Sequence, residues 1–332
     1  MSQNRIPVLA PDEEPLTPCR PARARQMIDE GRATPFWNKG VFCIQLLEEP
    51  SSRETPHAAC GIDPGSKAEG FTVKSTEGTY LNIQTGARSG ISKKLRERKN
   101  YRSSRRKRKS PNREPNLHKN RNLGSKMPPS TKARWDWKIK ICEWLLEIYP
   151  ISTFVVEDLT EPKNIGYNPM RKGKEYFYNA LKDLKDLIVV DSEDVAKWRN
   201  SISIDKSKSN KTRVSFFKHC IDSWVLAWFV TNCPFGSGPI FKEVMALEPI
   251  DLQRRVFPEK NSPSKCQTSY PFKRGALISH QKHGLSYIGD HPEHPSYGAI
   301  RSIEDGSLFS RYINPSECEF LCFTSWRFSS SF

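Results

Sequence analysis

Ala59-Cys60-Gly61-Ile62-Asp63, followed at once by Pro64-Gly65-Ser66, decides how the rest of this chain is read. A short apolar run ends in a carboxylate and then turns through Pro and Gly. Glu69-Gly70-Phe71-Thr72-Val73 alternates like a second strand. The Thr76-Glu77-Gly78 turn leads to a third strand, Tyr80-Leu81-Asn82-Ile83. An α/β fold places its ligands at the carboxyl ends of central strands, so Asp63 is a candidate metal ligand.

Downstream, residues 92–109 carry no Gly or Pro and read as a helix without an apolar face. Lys93 to Lys109 holds eleven Lys or Arg and one Glu, so it supplies +10 of the chain's formal +16. Arg98, Arg102, Arg105 and Lys109 fall at i, i+4, i+7 and i+11 and line one face. Arg106 and Arg108 stand beside that face. The planar guanidinium fork grips phosphate at two points. Such a helix frays by self-repulsion unless a polyanion neutralises it, and it lies between two core elements rather than in a tail. It is read as a nucleic-acid contact.

Residues 130–149 are an amphipathic helix stopped by Pro150, with Trp137, Ile141, Trp144, Leu145 and Ile148 on one side. Residues 151–156 form a buried strand running into Glu157-Asp158, either of which could be a second ligand. A helix over 174–187 and a strand over 188–191 follow. Residues 212–231 read as a helix in which His219 and Asp222, three apart, share an otherwise apolar surface. A buried charge must be paired or bind metal. Three acids and an imidazole fit two Mg²⁺ or Mn²⁺ ions roughly 4 Å apart, the arrangement that cleaves phosphodiesters. Whether His219 ligates, orients water or acts as base is open at this stage.

Upstream, residues 5–9 and 41–47 read as strands and Pro21 to Glu30 as a helix. Pro15 to Cys19 reads as a stiff Pro-rich segment. Arg20, Arg23 and Arg25 put positive charge on or beside the helix, as a second nucleic-acid contact or a plain solvated face. Residues 48–57 read as a linker. Beyond the Gly/Pro break at 234–239 the pattern turns to short alternating segments, a small β-rich module over 240–332.

The chain has 332 residues, nine irregularly spaced cysteines and a pI near 9.4. The charge attracts polyanions. The longest apolar run, Trp224 to Val230, is seven residues, too short to span a bilayer. Residues 1–15 have no apolar core, so a cytoplasmic, nucleoid-associated protein with reduced thiols and no membrane partner is expected. His280/His283, His291/His294, Cys318 and Cys322 lack zinc-site spacings, and no zinc is expected.

These motifs together resemble the RNA-guided nucleases of the IscB/IsrB type. Pro15 to Arg25 is similar to the family's N-terminal "PLMP" module, with Thr17 where Met is usual. Gly61 to Ser66, Val155 to Asp158 and His219 to Trp224 resemble the three RuvC segments. Tyr101 to Arg108 resembles the arginine-rich bridge helix of RRXRR proteins. Phe272 to Gly275 and Ser325 to Arg327 resemble the last, target-interacting module. The resemblance implies an α/β, ribonuclease H-like (RuvC) core with an inserted arginine-rich helix, a small N-terminal α+β module and a β-rich C-terminal module. It divides the chain into 1–50, 58–91, 92–110, 130–232 and 240–332. It makes Asp63, Glu157, His219 and Asp222 the catalytic, metal-binding set. Only 61 residues separate Glu157 from His219, without the paired histidines of an HNH nuclease, so the chain is closest to IsrB. The implied function is Mg²⁺-dependent nicking of DNA opened by an omega RNA, by one protein copy in a ribonucleoprotein. Two other readings stand beside it: a non-catalytic RNA-binding protein of a mobile element, and an unguided RuvC-like junction nuclease.

Overall fold

The computed structural model describes residues 5–65, 68–86, 91–109, 127–158, 169–202, 219–231, 244–249, 272–290 and 298–331. It is a mixed α/β fold with three sheets.

The first sheet is N-terminal. Its strands are β1 (Ile6–Leu9), β2 (Pro15–Cys19), β3 (Ala33–Asn38) and β4 (Val41–Leu46), ordered β2-β1-β4-β3. Helix α1 (Pro21–Asp29) opens on a proline and lays Ala24, Met27 and Ile28 on Ile6, Val8 and Ile44. Pro15 to Cys19, expected as a stiff connector, is strand β2. It lies at the sheet edge, where prolines cost no ladder bond. Strand β3 was not expected from its sequence.

The second sheet is central. It comprises β5 (Ala58–Asp63), β6 (Ala68–Ser75), β7 (Gly78–Gly86), β8 (Thr153–Asp158) and β9 (Asp186–Asp191), extended by β10 (Val244–Pro249) and β16 (Trp326–Ser331). The order is β16-β10-β7-β6-β5-β8-β9. β5, β6 and β7 form an antiparallel meander, and β8 and β9 add in parallel beside β5. The C-terminal stretch from 240 is therefore not one separate sheet, because β10 pairs in parallel with β7 and β16 pairs with β10. The strands between them, β11 (Ala276–His280), β12 (Gly284–Asp290), β13 (Gly298–Ser302), β14 (Leu308–Ile313) and β15 (Cys318–Phe323), form the third sheet.

Helices cover both faces of the central sheet. On one face lie α3 (Pro129–Ile148) and α4 (Pro169–Leu184), packed on Cys60, Ile62, Phe71, Val73, Phe154 and Val156. On the other lie α5 (Ser192–Ser201) and α6 (Ile221–Thr231), packed on Ala59 and Val155. The split follows strand alternation: even-numbered β5 residues face α3 and odd ones face α6. The arginine-rich helix α2 (Ile91–Lys109) follows β7.

Several elements of this region differ from expectation. α4 ends at Leu184 rather than 187, because pairing with β8 claims Asp186 and Leu187 for β9. α5 was not anticipated. α6 starts at Ile221, with His219 and Cys220 in a wider π-type turn before it. Residues 212–218 of the expected helix lie outside the described residues.

Trp326 ties the modules together. Its ring packs on Trp144 (5.0 Å) and Trp137 (5.7 Å), and its indole N–H donates to the Lys39 carbonyl at 3.1 Å. β5 sits tightest against α6 at Gly61. A Cβ there would fall on the Ser223 carbonyl and 2.8 Å from the Ala227 nitrogen. Both atoms belong to helix backbone, which has no rotamer escape. Gly61→Ala should lower the unfolding free energy by roughly 3 kcal/mol, at the upper end of overpacking costs. Gly86→Ala, whose Cβ meets nothing within 4 Å, should stay within about 1 kcal/mol of wild type in the same urea titration.

Candidate metal centre and nucleic-acid interface

Asp63 ends β5 and Glu157 lies one residue before the end of β8. Ile62 pairs with Val156 in parallel register, so the next pair outward is Asp63 beside Glu157, both facing α6. Asp222, in the first turn of α6, meets them from that helix. Asp63, Glu157 and Asp222 each offer a carboxylate oxygen within 4.8 Å of the others. Asp63 is 8% exposed and Asp222 2%, while Glu157 is half-buried.

Strand parity also separates Glu157 from Asp158. Asp158 points to the opposite face, where Lys174 lies 2.6 Å away and the Tyr178 hydroxyl donates to it at 2.8 Å. The three-acid cluster takes Glu157 and not Asp158.

Like charges this close repel. At an effective dielectric near 20, two carboxylates about 5 Å apart cost about 3 kcal/mol per pair. Two cationic or proton-donating partners offset this. Arg199 of α5 donates to Asp222 at 2.7 Å, and His219 meets Asp63 at 2.8 Å through Nδ1. A carboxylate accepts, so His219 donates to Asp63 through Nδ1, and Nε2 takes no part in that contact. His219 thus touches one carboxylate but does not join the group of three. Glycines crowd this spot: a Cβ on Gly65, in the turn after β5, would fall on the Ala68 carbonyl and lie 3.2 Å from the imidazole Cε1, and one on Gly70 of β6 would fall on the His219 carbonyl.

A further acid lies behind the cluster. Glu69 of β6 is 1% exposed, faces α3 and pairs with Lys138, also buried. Burial pushes the Glu69 carboxyl up, Lys138 opposes that shift, and the neighbouring Asp63 adds to it. Lys138 also lies 4.9 Å over the Trp135 ring. Breaking a buried pair of this kind costs about 3–5 kcal/mol, so it locks α3 onto the strand beside β5.

Three hard oxygen donors with two nearly buried suit Mg²⁺ or Mn²⁺ rather than a thiophilic ion. No other group of three such ligands occurs among the described residues. His280 bonds Glu317 at 3.2 Å and accepts from the Lys282 and His283 amides, while His291 and His294 lie outside the described residues.

The described arginines that the sequence marks for nucleic acid lie on the surface. Arg98, Arg102 and Arg105 are exposed along α2, with Tyr101 59% exposed among them. The side chains of Arg106, Arg108 and Lys109 lie outside the described ones. Arg20, Arg23 and Arg25 are exposed at α1, where Arg23 donates to Gln26 at 2.9 Å. No described helix is long and apolar enough to cross a membrane.

Sequence reasoning missed Arg199, Glu69 and Lys138. Arg199 had a signal: Asp191, then Glu193 and Asp194, then Arg199 five residues on, is the charge order of a short helix. Glu69 could have been found as an acid on the apolar face of an alternating strand.

The RRXRR protein family model matches residues 6–177, which spans the N-terminal sheet, β5 to β8 and the arginine-rich helix. This chain belongs to the RRXRR family. Among solved structures, T. thermophilus RuvC in complex with Holliday junction substrate is similar at 12% identity. It covers 52% of this chain and 90% of that one, with a TM-score of 0.29. No curated protein matches.

If α2 contacts nucleic acid, three of its exposed arginines should carry counterion release. The triple variant Arg98→Gln/Arg102→Gln/Arg105→Gln should make the plot of log affinity against log salt shallower by about 2 to 3. An unchanged slope would place the contact elsewhere.

Proposed function

We propose that this protein is an IsrB-type, RNA-guided, Mg²⁺-dependent DNA endonuclease that nicks one strand of a guide-opened duplex. The observation that carries this reading is the meeting of Asp63, Glu157 and Asp222 in one chain with an exposed arginine-rich helix. The strand order β7-β6-β5-β8-β9, three antiparallel and then two parallel, supports a ribonuclease H-like core. The 61 residues between Glu157 and His219 support a chain without an HNH insertion.

Bound at the three carboxylates, divalent ions supply Lewis-acid activation of water and charge stabilisation of the leaving oxygen. The protein's part is placement. Asp63 and Asp222 are held by β5 and by the first turn of α6, so neither needs reordering. Glu157, more open, faces the incoming strand. His219, with its proton on Nδ1 toward Asp63, keeps Nε2 able to accept a proton from water. The exposed arginines of α2, with Arg20, Arg23 and Arg25 of α1, grip phosphates without reading bases. Sequence choice then falls to pairing between an omega RNA and the DNA, the division of labour in guided effectors. The modules proposed for this work are 1–50, 58–91, 92–110, 130–232 and 240–332.

With its co-purifying RNA and Mg²⁺, the protein should convert a supercoiled plasmid bearing the guide-matched target to open circles, and chelation should stop it. Asp63→Ala should slow nicking at least about 100-fold, beyond the 10–100-fold loss typical of outer-shell partners. Equal nicking by Asp63→Ala would refute the assignment. Tight RNA binding without nicking of any target in a library would favour the non-catalytic reading. Cleavage of branched DNA without RNA would favour the junction nuclease.

A further inference from the structure

We propose that Arg199 is a phosphate-binding residue of this centre and that it occupies Asp222 until a divalent ion and a DNA strand replace that contact. The inference rests on the metal-dependent reading above and adds a residue that neither the sequence nor the family resemblance assigned.

Three observations carry it. First, Asp222 is almost fully buried, and its Oδ1 accepts from Arg199 Nη1 at 2.7 Å. The Arg199 side chain is 18% exposed against 3% for the Asp222 side chain, so the guanidinium stands on the solvent side of the carboxylate. That is the side from which a strand arrives. Second, Arg199 is held there by its helix. Val195 is buried against α6, and Trp198 stacks flat on Phe229 with centroids 3.5 Å apart. Arg199 follows Trp198 directly, so its backbone is fixed while its long stem can move the head group. Third, a guanidinium has five N–H donors in a planar fork and a carboxylate engages two at most. The remainder matches a phosphodiester oxygen pair.

Charge sets the direction of the effect. A guanidinium on Asp222 weakens the attraction of that carboxylate for a dication, and the two cations repel across a few ångströms. Arg199 therefore costs ion affinity in the free protein and contributes once phosphate brings compensating negative charge. The site is tuned to hold ions well only when a strand is present.

The test uses the full chain with its bound RNA. Mn²⁺ affinity is read from the free-ion electron paramagnetic resonance signal, and a 12-nucleotide single-stranded DNA reports strand binding with and without Mn²⁺. Arg199→Gln should bind Mn²⁺ about tenfold more tightly than wild type and lose about tenfold in Mn²⁺-dependent DNA affinity. Arg199→Lys, which keeps the charge but not the fork, should hold Mn²⁺ like wild type and bind DNA more weakly. Asp63→Asn should lose Mn²⁺ from the site. Unchanged or weaker Mn²⁺ binding by a folded Arg199→Gln, or wild-type DNA affinity in Arg199→Lys, overturns the inference while leaving the metal centre standing. If Arg199→Gln does not fold, the Arg199→Lys result decides. Wild-type Mn²⁺ binding by Asp63→Asn would overturn the metal centre and the inference together.

Discussion

Three carboxylates crowded at one end of a sheet are the constraint on which the rest of this structure depends. Asp63, Glu157 and Asp222 put three like charges within 4.8 Å, two of them nearly out of water. Left alone, such a cluster repels itself and opposes folding. The fold tolerates it because the elements bearing the acids are pinned from behind. β5 is the strand between β6 and β8, the buried Glu69–Lys138 pair fixes α3 to β6, and glycines at 61 and 70 let α6 and the turn before it close on the strands. Rigid support for a costly charge cluster is what a site for divalent ions needs.

The same geometry explains why one acid of an adjacent pair joins the cluster and the other does not. Alternation along β8 sends Glu157 toward α6 and Asp158 toward α4. Asp158 finds Lys174 and Tyr178 there and becomes part of the packing between strand and helix. The arginine-rich helix differs in kind: its described residues from Leu95 to Arg105 are exposed and mostly charged or polar, so the polyanion proposed above would meet them at the surface.

Much of this was legible in the sequence. The β5–β6–β7 meander announced itself through alternation and turns, and strands ending in acids at Asp63 and Glu157 could be seen as such. His219 and Asp222 stood out as polar groups in an apolar helix. What stayed hidden came from tertiary pairing. Residues 244–249 and 326–331 carry no local sign that they extend the central sheet, since that choice depends on the open edge of β7. Glu69 and Lys138, 69 positions apart, meet only after α3 lies on the sheet. Arg199 sits on a ten-residue helix too short to show its apolar face as a periodic pattern. Choosing between Glu157 and Asp158 required the register of β8 against β5, which alternation within β8 does not give.

The most direct measurement is anomalous diffraction from crystals of this protein soaked in Mn²⁺. Anomalous density is expected among the carboxylates of Asp63, Glu157 and Asp222, with oxygen ligands from all three. Mn²⁺ bound elsewhere, with these three side chains contacting only protein groups, would contradict it.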